Sequence, residues 1–188
     1  KVSVYGANAC KSCLAGYYTN LEQSNCDPCS AGKYGNESLQ SSNASCYKCD
    51  PGTFSTAFGA SAKQFCNDCA PGKFSNATGS SNADSCKLCP AGYFNKDFGK
   101  TKCAVVLPGY YRSGATTQVE CPAGRFSLGM VEDCKDCIIG QFQNISKGTT
   151  CMKCPAGSGN TANRSTGCNE VPPGFYITPN GETQKCKE

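Results

Sequence analysis

Aromatic residues mark this chain at near-regular intervals: Tyr18, Tyr34, Phe54, Phe74, Phe94, Tyr111, Phe126, Phe142 and Tyr176. Each stands two residues after a glycine, in the series Gly16, Gly32, Gly52, Gly72, Gly92, Gly109, Gly124, Gly140, Gly157 and Gly174. Only the Gly157 unit lacks its aromatic, because Gly159 takes the slot. Between one aromatic and the next the chain is polar and rich in Ser, Asn and Gly. A Pro-Gly or Ala-Gly step reads as a turn, with glycine supplying positive φ at low cost. The aromatic then opens a short extended piece and can lie over a disulfide or a neighbouring ring. The pattern predicts short two-stranded pieces and turns with almost no helix.

Cysteines complete the period. They fall as CxxC pairs at Cys10/Cys13, Cys26/Cys29, Cys46/Cys49, Cys66/Cys69, Cys86/Cys89, Cys134/Cys137 and Cys151/Cys154, with Cys103, Cys121, Cys168 and Cys186 standing alone. The turn glycine always lies three residues after the second cysteine position, which defines ten units. Residues 1–102 carry the repeat at a period of about 20 residues, and 103–188 carry it at 15 to 17 residues with two bridges missing. A fixed period of this length is the mark of a repeat architecture, in which each unit depends on its neighbours. The predicted fold is an elongated rod of small disulfide-rich tandem repeats, short β-hairpins and turns, with little helix and no single hydrophobic core.

Composition leads to the same place. Leu, Ile, Val and Phe together fall well under the roughly 20% that an ordinary core requires, and Trp is absent. The 18 cysteines among 188 residues are a disulfide-scaffold density. Such bridges persist outside the cell. A short loop closed by one bridge gains about 3 kcal/mol in the chain-entropy model, so several in series compensate for the missing core. The net charge of +4 is spread without a basic block, which reads as solvated surface and not as a nucleic-acid footprint. No apolar run is long enough to span a membrane. No leader-type segment opens the chain, which fits a mature or truncated chain as well as a cytosolic one.

Two pairings of the cysteines are open. One joins the second cysteine of each pair to the first of the next: Cys13–Cys26, Cys29–Cys46, Cys49–Cys66, Cys69–Cys86, Cys89–Cys103, Cys121–Cys134, Cys137–Cys151 and Cys154–Cys168. Cys10 and Cys186 then need partners elsewhere. The other nests bridges, with Cys103–Cys121, Cys168–Cys186, and Cys66–Cys89 around Cys69–Cys86. The first fits better, because every loop carries the same phrase and should share one geometry. Val106 and Gln118 replace two cysteines at opposite ends of one loop, and Val171 and Thr183 do so again. That is the expected trace of losing a bridge, since a leftover thiol is a liability. The spacing Cys10–Cys29 also suits a Cys₄ zinc site, but only two sulfurs remain where quartets should recur, and the chain has no His.

Chemistry beyond the scaffold is sparse. Without His, a Ser-His-Asp or Cys-His arrangement cannot form, and the acids lie on different loops. The chain is therefore expected to be non-catalytic, with no cofactor and no metal. Five N-x-Ser/Thr triplets, at Asn36, Asn43, Asn76, Asn144 and Asn163, all lie in the return loops. That is where an accessible N-glycan acceptor belongs. Val105-Val106-Leu107 and Ile138-Ile139 are the only concentrated aliphatics; they read as packing around a missing bridge or as contacts with a partner.

The phrase Cys-Pro-Ala-Gly at Cys89, Cys121 and Cys154, followed by an aromatic or its slot and a polar return, resembles the ephrin-receptor-like (growth-factor-receptor-type) cysteine-rich repeats of extracellular proteins. It resembles most the repeated units of ciliate and protist surface antigens, the immobilization antigens. The resemblance implies a secreted or cell-surface protein that forms a coat, stalk or filament with neighbouring copies and is often lipid-anchored outside this stretch. A ligand-binding ectodomain of tumour-necrosis-factor-receptor-like or ephrin-receptor-like type is the alternative.

Overall fold

The computed structural model describes residues 13–20, 25–39 and 41–187. Among them each unit is one two-stranded antiparallel hairpin, and ten such hairpins follow one another along the chain. Every hairpin pairs consecutive strands; Thr53–Phe54 with Asn67–Asp68 and Lys73–Phe74 with Lys87–Leu88 are typical. The only helical segments described are three short 3₁₀ turns, Asn43–Ser45, Lys63–Phe65 and Ala83–Ser85, each leading into a cysteine.

The hairpin geometry explains the CxxC spacing. All ten turn glycines have φ between 77° and 88°, the left-handed region where a side chain is disfavoured. The residue after each glycine donates its N–H to the carbonyl three residues back, at 2.9–3.2 Å, closing a type II turn. The chain then runs out through the aromatic, loops, and returns through the two residues between the cysteines. Phe54 faces Asn67 and Thr53 faces Asp68 in this register. The hairpin is closed when the next second-cysteine position donates its N–H to the turn glycine's carbonyl, as Cys69 does to Gly52 and Val106 to Gly92. The two intervening residues are thus the return strand, and the flanking cysteines belong to successive units.

Neighbouring units interlock by backbone hydrogen bonds. The residue after the aromatic donates to the next unit's loop: Ser55 to Ser80, Ser75 to Lys100, Ser127 to Gly148 and Gln143 to Ser165, at 3.0–3.1 Å. In return, a loop residue donates back to the second cysteine position of the previous unit. Gly59 donates to Cys29, Gly79 to Cys49, Gly99 to Cys69, Lys147 to Cys121 and Arg164 to Cys137. That loop residue has positive φ, whether it is glycine or, as at Lys147 and Arg164, not.

Units two apart also touch. A methyl group built on Gly16 would overlap the carbonyl oxygen of Gly59; the same holds for Gly32 under Gly79, Gly52 under Gly99, Gly109 under Lys147 and Gly124 under Arg164. Glycine is needed twice over at these turns, for its φ and for the space the next-but-one loop occupies.

No large core exists among the described residues. What is buried is mainly sulfur: Cys13, Cys29, Cys49, Cys69, Cys121 and Cys137 are all at most 1% exposed. The aromatics are half-buried, except the exposed Tyr176. Of the expected ring contacts, Tyr34 lies 5.7 Å from Tyr47 across its hairpin, tilted by 32°. Buried polar residues follow the aromatic, and their side chains bond within the repeat and to the repeat before it. Asn95 donates to the Lys73 carbonyl at 2.8 Å and accepts from the Asp97 N–H at 3.0 Å, as burial of a polar group requires. Backbone packing divides the chain into two compact units, Lys1–Cys89 with Asn95–Cys103, and Pro90–Phe94 with Ala104–Glu188.

The sixth repeat accounts for one aliphatic cluster. Val106, in the second-cysteine slot, is 1% exposed and is the largest of the fully buried side chains. Gln118, in the first-cysteine slot, accepts the Leu107 N–H at 3.0 Å through Oε1. Burial and one hydrogen bond stand where a bridge stands elsewhere. Val105 and Leu107 remain exposed.

Two outcomes follow. Gly52→Ala should lower the unfolding free energy, from denaturation read by near-ultraviolet circular dichroism, by ~2 kcal/mol or more, because strain and overlap add. Gly140→Ala, at the same φ but with nothing within 4 Å of the added methyl, should cost only the backbone term of about 1 kcal/mol. Equal losses would refute the packing role. Secondly, Val106→Cys with Gln118→Cys should oxidise to a further bridge, leaving the thiol titre unchanged and adding up to ~3 kcal/mol. Two extra free thiols after oxidation would contradict the register.

Candidate functional site

The chemically distinctive groups are the cysteines, the sequon asparagines and a few ion pairs. Among the described residues eight disulfides join Cys13–Cys26, Cys29–Cys46, Cys49–Cys66, Cys69–Cys86, Cys89–Cys103, Cys121–Cys134, Cys137–Cys151 and Cys154–Cys168. Each closes one return loop, with Cα–Cα separations of 5.5–5.8 Å that suit an unforced bridge. Cys186 is free and exposed; Cys10 lies outside the described residues. With their sulfurs paired, the other cysteines have none to offer a metal. Among the described residues no group of three or more His, Cys, Asp or Glu is gathered to hold one.

All five sequon asparagines are exposed. Asn36, Asn76 and Asn144 share one place, directly after the buried residue that follows the aromatic. Asn43 and Asn163 lie elsewhere. Asn43 opens a 3₁₀ turn and accepts from Lys33 Nζ at 3.4 Å. Asn163 accepts the Ile139 N–H of the preceding repeat at 3.2 Å.

The charged groups cluster more than their sequence spacing suggests. Arg125, in the slot after the turn glycine, binds Asp136 Oδ1 through Nε at 2.7 Å and both oxygens of Asp133 at 3.0–3.1 Å. Arg164, whose backbone covers Gly124, reaches Asp136 Oδ2 at 2.8 Å. Asp136 therefore ties the turn of the seventh repeat to the loop of the ninth. Hydrogen bonds from Arg164 and then Arg125 hold the Asp136 carboxyl below the usual carboxylate range, and Arg125 does the same to Asp133. Likewise Arg112 pairs with Glu132 at 2.8 Å and lowers its pKa, while Glu132 also accepts the Gly92 N–H at 3.3 Å. Lys147 pairs with Glu120 at 2.9 Å and stands 5.5 Å from the Tyr110 ring centre. Neither Asp133 nor Asp136 was assignable from sequence spacing. The Arg164–Asp136 contact needs the ninth repeat laid over the seventh, and no linear pattern announces that.

One hollow stands out by its departure from the repeat. In the second unit, Ile139, Gly157, Gly159, Val171, Phe175 and Ile177 line an open depression of about 440 Å³. It exists where Gly159 replaces the aromatic and Val171 replaces a cysteine; the Ile177 side chain moves into the vacated space, within 2.6 Å of where a Gly159 methyl would stand. A second hollow of about 580 Å³, lined by Tyr18, Asn20, Asp27 and Asn43 among others, lies in the first unit.

These features define a cysteine-rich tandem-repeat protein, held by consecutive disulfides of the kind found in oxidising, extracellular settings. Comparison with known protein families and with curated proteins returns no match. No helix among the described residues is long and apolar enough to cross a membrane.

The ion pairs carry a pH dependence. Carboxylates with depressed pKa stabilise the fold above their unfolded value, near pH 4, and that contribution is lost as pH falls through the lower folded values. Stability should therefore hold from neutrality to about pH 4 and decline below it. Arg125→Met should flatten that decline in acid denaturation followed by circular dichroism; an unchanged acid limb would contradict the pairing.

Proposed function

We propose that this chain serves as a non-catalytic structural component of an extracellular or cell-surface layer, a coat, stalk or filament, bearing N-linked glycans. The supporting observation is that one set of backbone bonds, the turn, the hairpin closure and the interlocks to neighbours, recurs through most repeats. Buried residues are spent on cysteines and small polar groups that hold repeat to repeat, and sequence variation falls on exposed loop positions. That is the economy of a scaffold whose job is to persist outside the cell. Bridges resist reduction there, and sugars on exposed loops shield a fold that has little apolar interior.

A second reading, a ligand-binding ectodomain, draws support from the hollow lined by Gly159, Phe175 and Ile177, the one place where a missing aromatic and a missing bridge coincide. A binder concentrates its energy in such a unique patch.

The test is surface labelling of intact source cells with a membrane-impermeant reagent, followed by antibody localisation of the chain. A coat component is expected as an abundant, evenly distributed, labelled protein whose resistance to trypsin disappears on reduction. Sparse labelling, with saturable capture of a soluble protein that Phe175→Ser abolishes, would favour the receptor reading. Exclusive recovery from inside the cell, with reduced thiols, would defeat both.

A further inference from the structure

The next-but-one packing sorts the loops into two columns within each compact unit. In the first unit the loop of repeat 3 covers the turn of repeat 1, and that of repeat 5 covers repeat 3, through Gly59 over Gly16 and Gly99 over Gly52. The loop of repeat 4 covers repeat 2 through Gly79 over Gly32. Odd and even loops therefore form separate rows.

The sequons Asn36-Glu37-Ser38 and Asn76-Ala77-Thr78 lie in the even row, in identical register. Their hydroxyl residues, Ser38 and Thr78, directly precede the positive-φ residues Leu39 and Gly79. In the odd row Phe58 and Phe98 fill that same position before Gly59 and Gly99, and they are 70% and 64% exposed. The second unit repeats the even-row register at Asn144-Ile145-Ser146 before Lys147, in the loop that covers Gly109 of repeat 6.

At each of these three asparagines the preceding residue is buried and pinned by its N–H to the next repeat: Gly35 to Ala60, Ser75 to Lys100 and Gln143 to Ser165. Ser75 and Gln143 also cap the residue after the asparagine, at 3.4 and 3.3 Å. The asparagine is the outward corner of a held turn, its carboxamide uncommitted among the described residues. The other two sequons are engaged in the fold. Asn43-Ala44-Ser45 is wound into the 3₁₀ turn that ends at Cys46, half of the Cys29–Cys46 bridge. Asn163 holds the Ile139 N–H, and the hydroxyl of Ser165 donates to the Ala162 carbonyl at 2.7 Å.

We infer that glycans occupy Asn36, Asn76 and Asn144 and leave Asn43 and Asn163 bare, so that sugar follows the even loops and leaves Phe58 and Phe98 uncovered. The inference rests on the secretory, glycosylated reading above. In the transfer, asparagine Nδ2 bonds to the anomeric carbon of an oligosaccharide donated as a lipid-linked glycosyl diphosphate. The carbon–oxygen bond to diphosphate breaks, and the amide proton is released as the diphosphate departs. The step needs the asparagine carboxamide and the sequon hydroxyl, and where transfer follows closure of the local hairpin it needs both unclaimed by the fold.

The test uses the full chain secreted from cultured eukaryotic cells. Enzymatic deglycosylation in heavy-oxygen water, followed by peptide mass mapping, should label positions 36, 76 and 144 alone. Asn36→Gln, Asn76→Gln and Asn144→Gln should each remove one glycan from the intact mass. Ser45→Ala and Ser165→Ala, which keep their asparagines, should remove none. A glycan at Asn43 or Asn163, or a bare site among the three, overturns the assignment while leaving the glycoprotein reading intact. Five bare sites on a secreted, disulfide-bonded chain overturn both.

Discussion

The structure depends on one constraint, a turn glycine held at positive φ, which at Gly16, Gly32, Gly52, Gly109 and Gly124 also has the backbone of another repeat pressed against its α-carbon. That residue turns the chain, accepts the hydrogen bond that closes its hairpin, and leaves room for a loop arriving from two repeats further on. In a fold with almost no aliphatic interior, backbone hydrogen bonding between repeats takes over the organising role that side-chain packing has elsewhere. A side chain at that position would break the turn and the stacking together.

The disulfides do complementary work. Each closes a loop of 13 to 17 residues in sequence separation, limiting the unfolded chain where burial of apolar groups cannot stabilise the folded one. They leave the relation between repeats to the interlocking hydrogen bonds and to a few side-chain ties. The loop residue is not glycine at Leu39, Met130, Lys147 and Arg164, and at the last two its side chain adds an ion pair, to Glu120 and Asp136 respectively. The positive φ of a non-glycine residue is costly, and those pairs, partly solvent-screened, offset some of it.

Departures from the repeat carry as much information as the repeat itself. At Val106 and Gln118 a lost bridge is made good by full burial of a valine and by one side-chain hydrogen bond, in a hairpin of four residue pairs where the bridged repeats have two or three. At Gly159 and Val171 it is not, and an open hollow remains. Two losses with the same sequence signature thus differ structurally. Val106 keeps the aromatic Tyr111 in its own repeat, whereas the hollow beside Val171 opens where the preceding repeat has given up its aromatic.

The sequence by itself determined the local unit: turn at each glycine, extended piece at each aromatic, return through the residues between cysteines. Positive φ, ring placement and loop closure are all decided within some twenty residues, so they leave a periodic trace that can be read directly. The exposure of the sequon asparagines was legible for the same reason. Tertiary structure decided what lies between units. That the turn glycine is covered from two repeats away, that Asp136 binds two arginines, and that odd and even loops form separate rows all depend on the rotation from one hairpin to the next. That rotation is set by backbone hydrogen bonds, which any residue except proline can donate, and so no residue type records it.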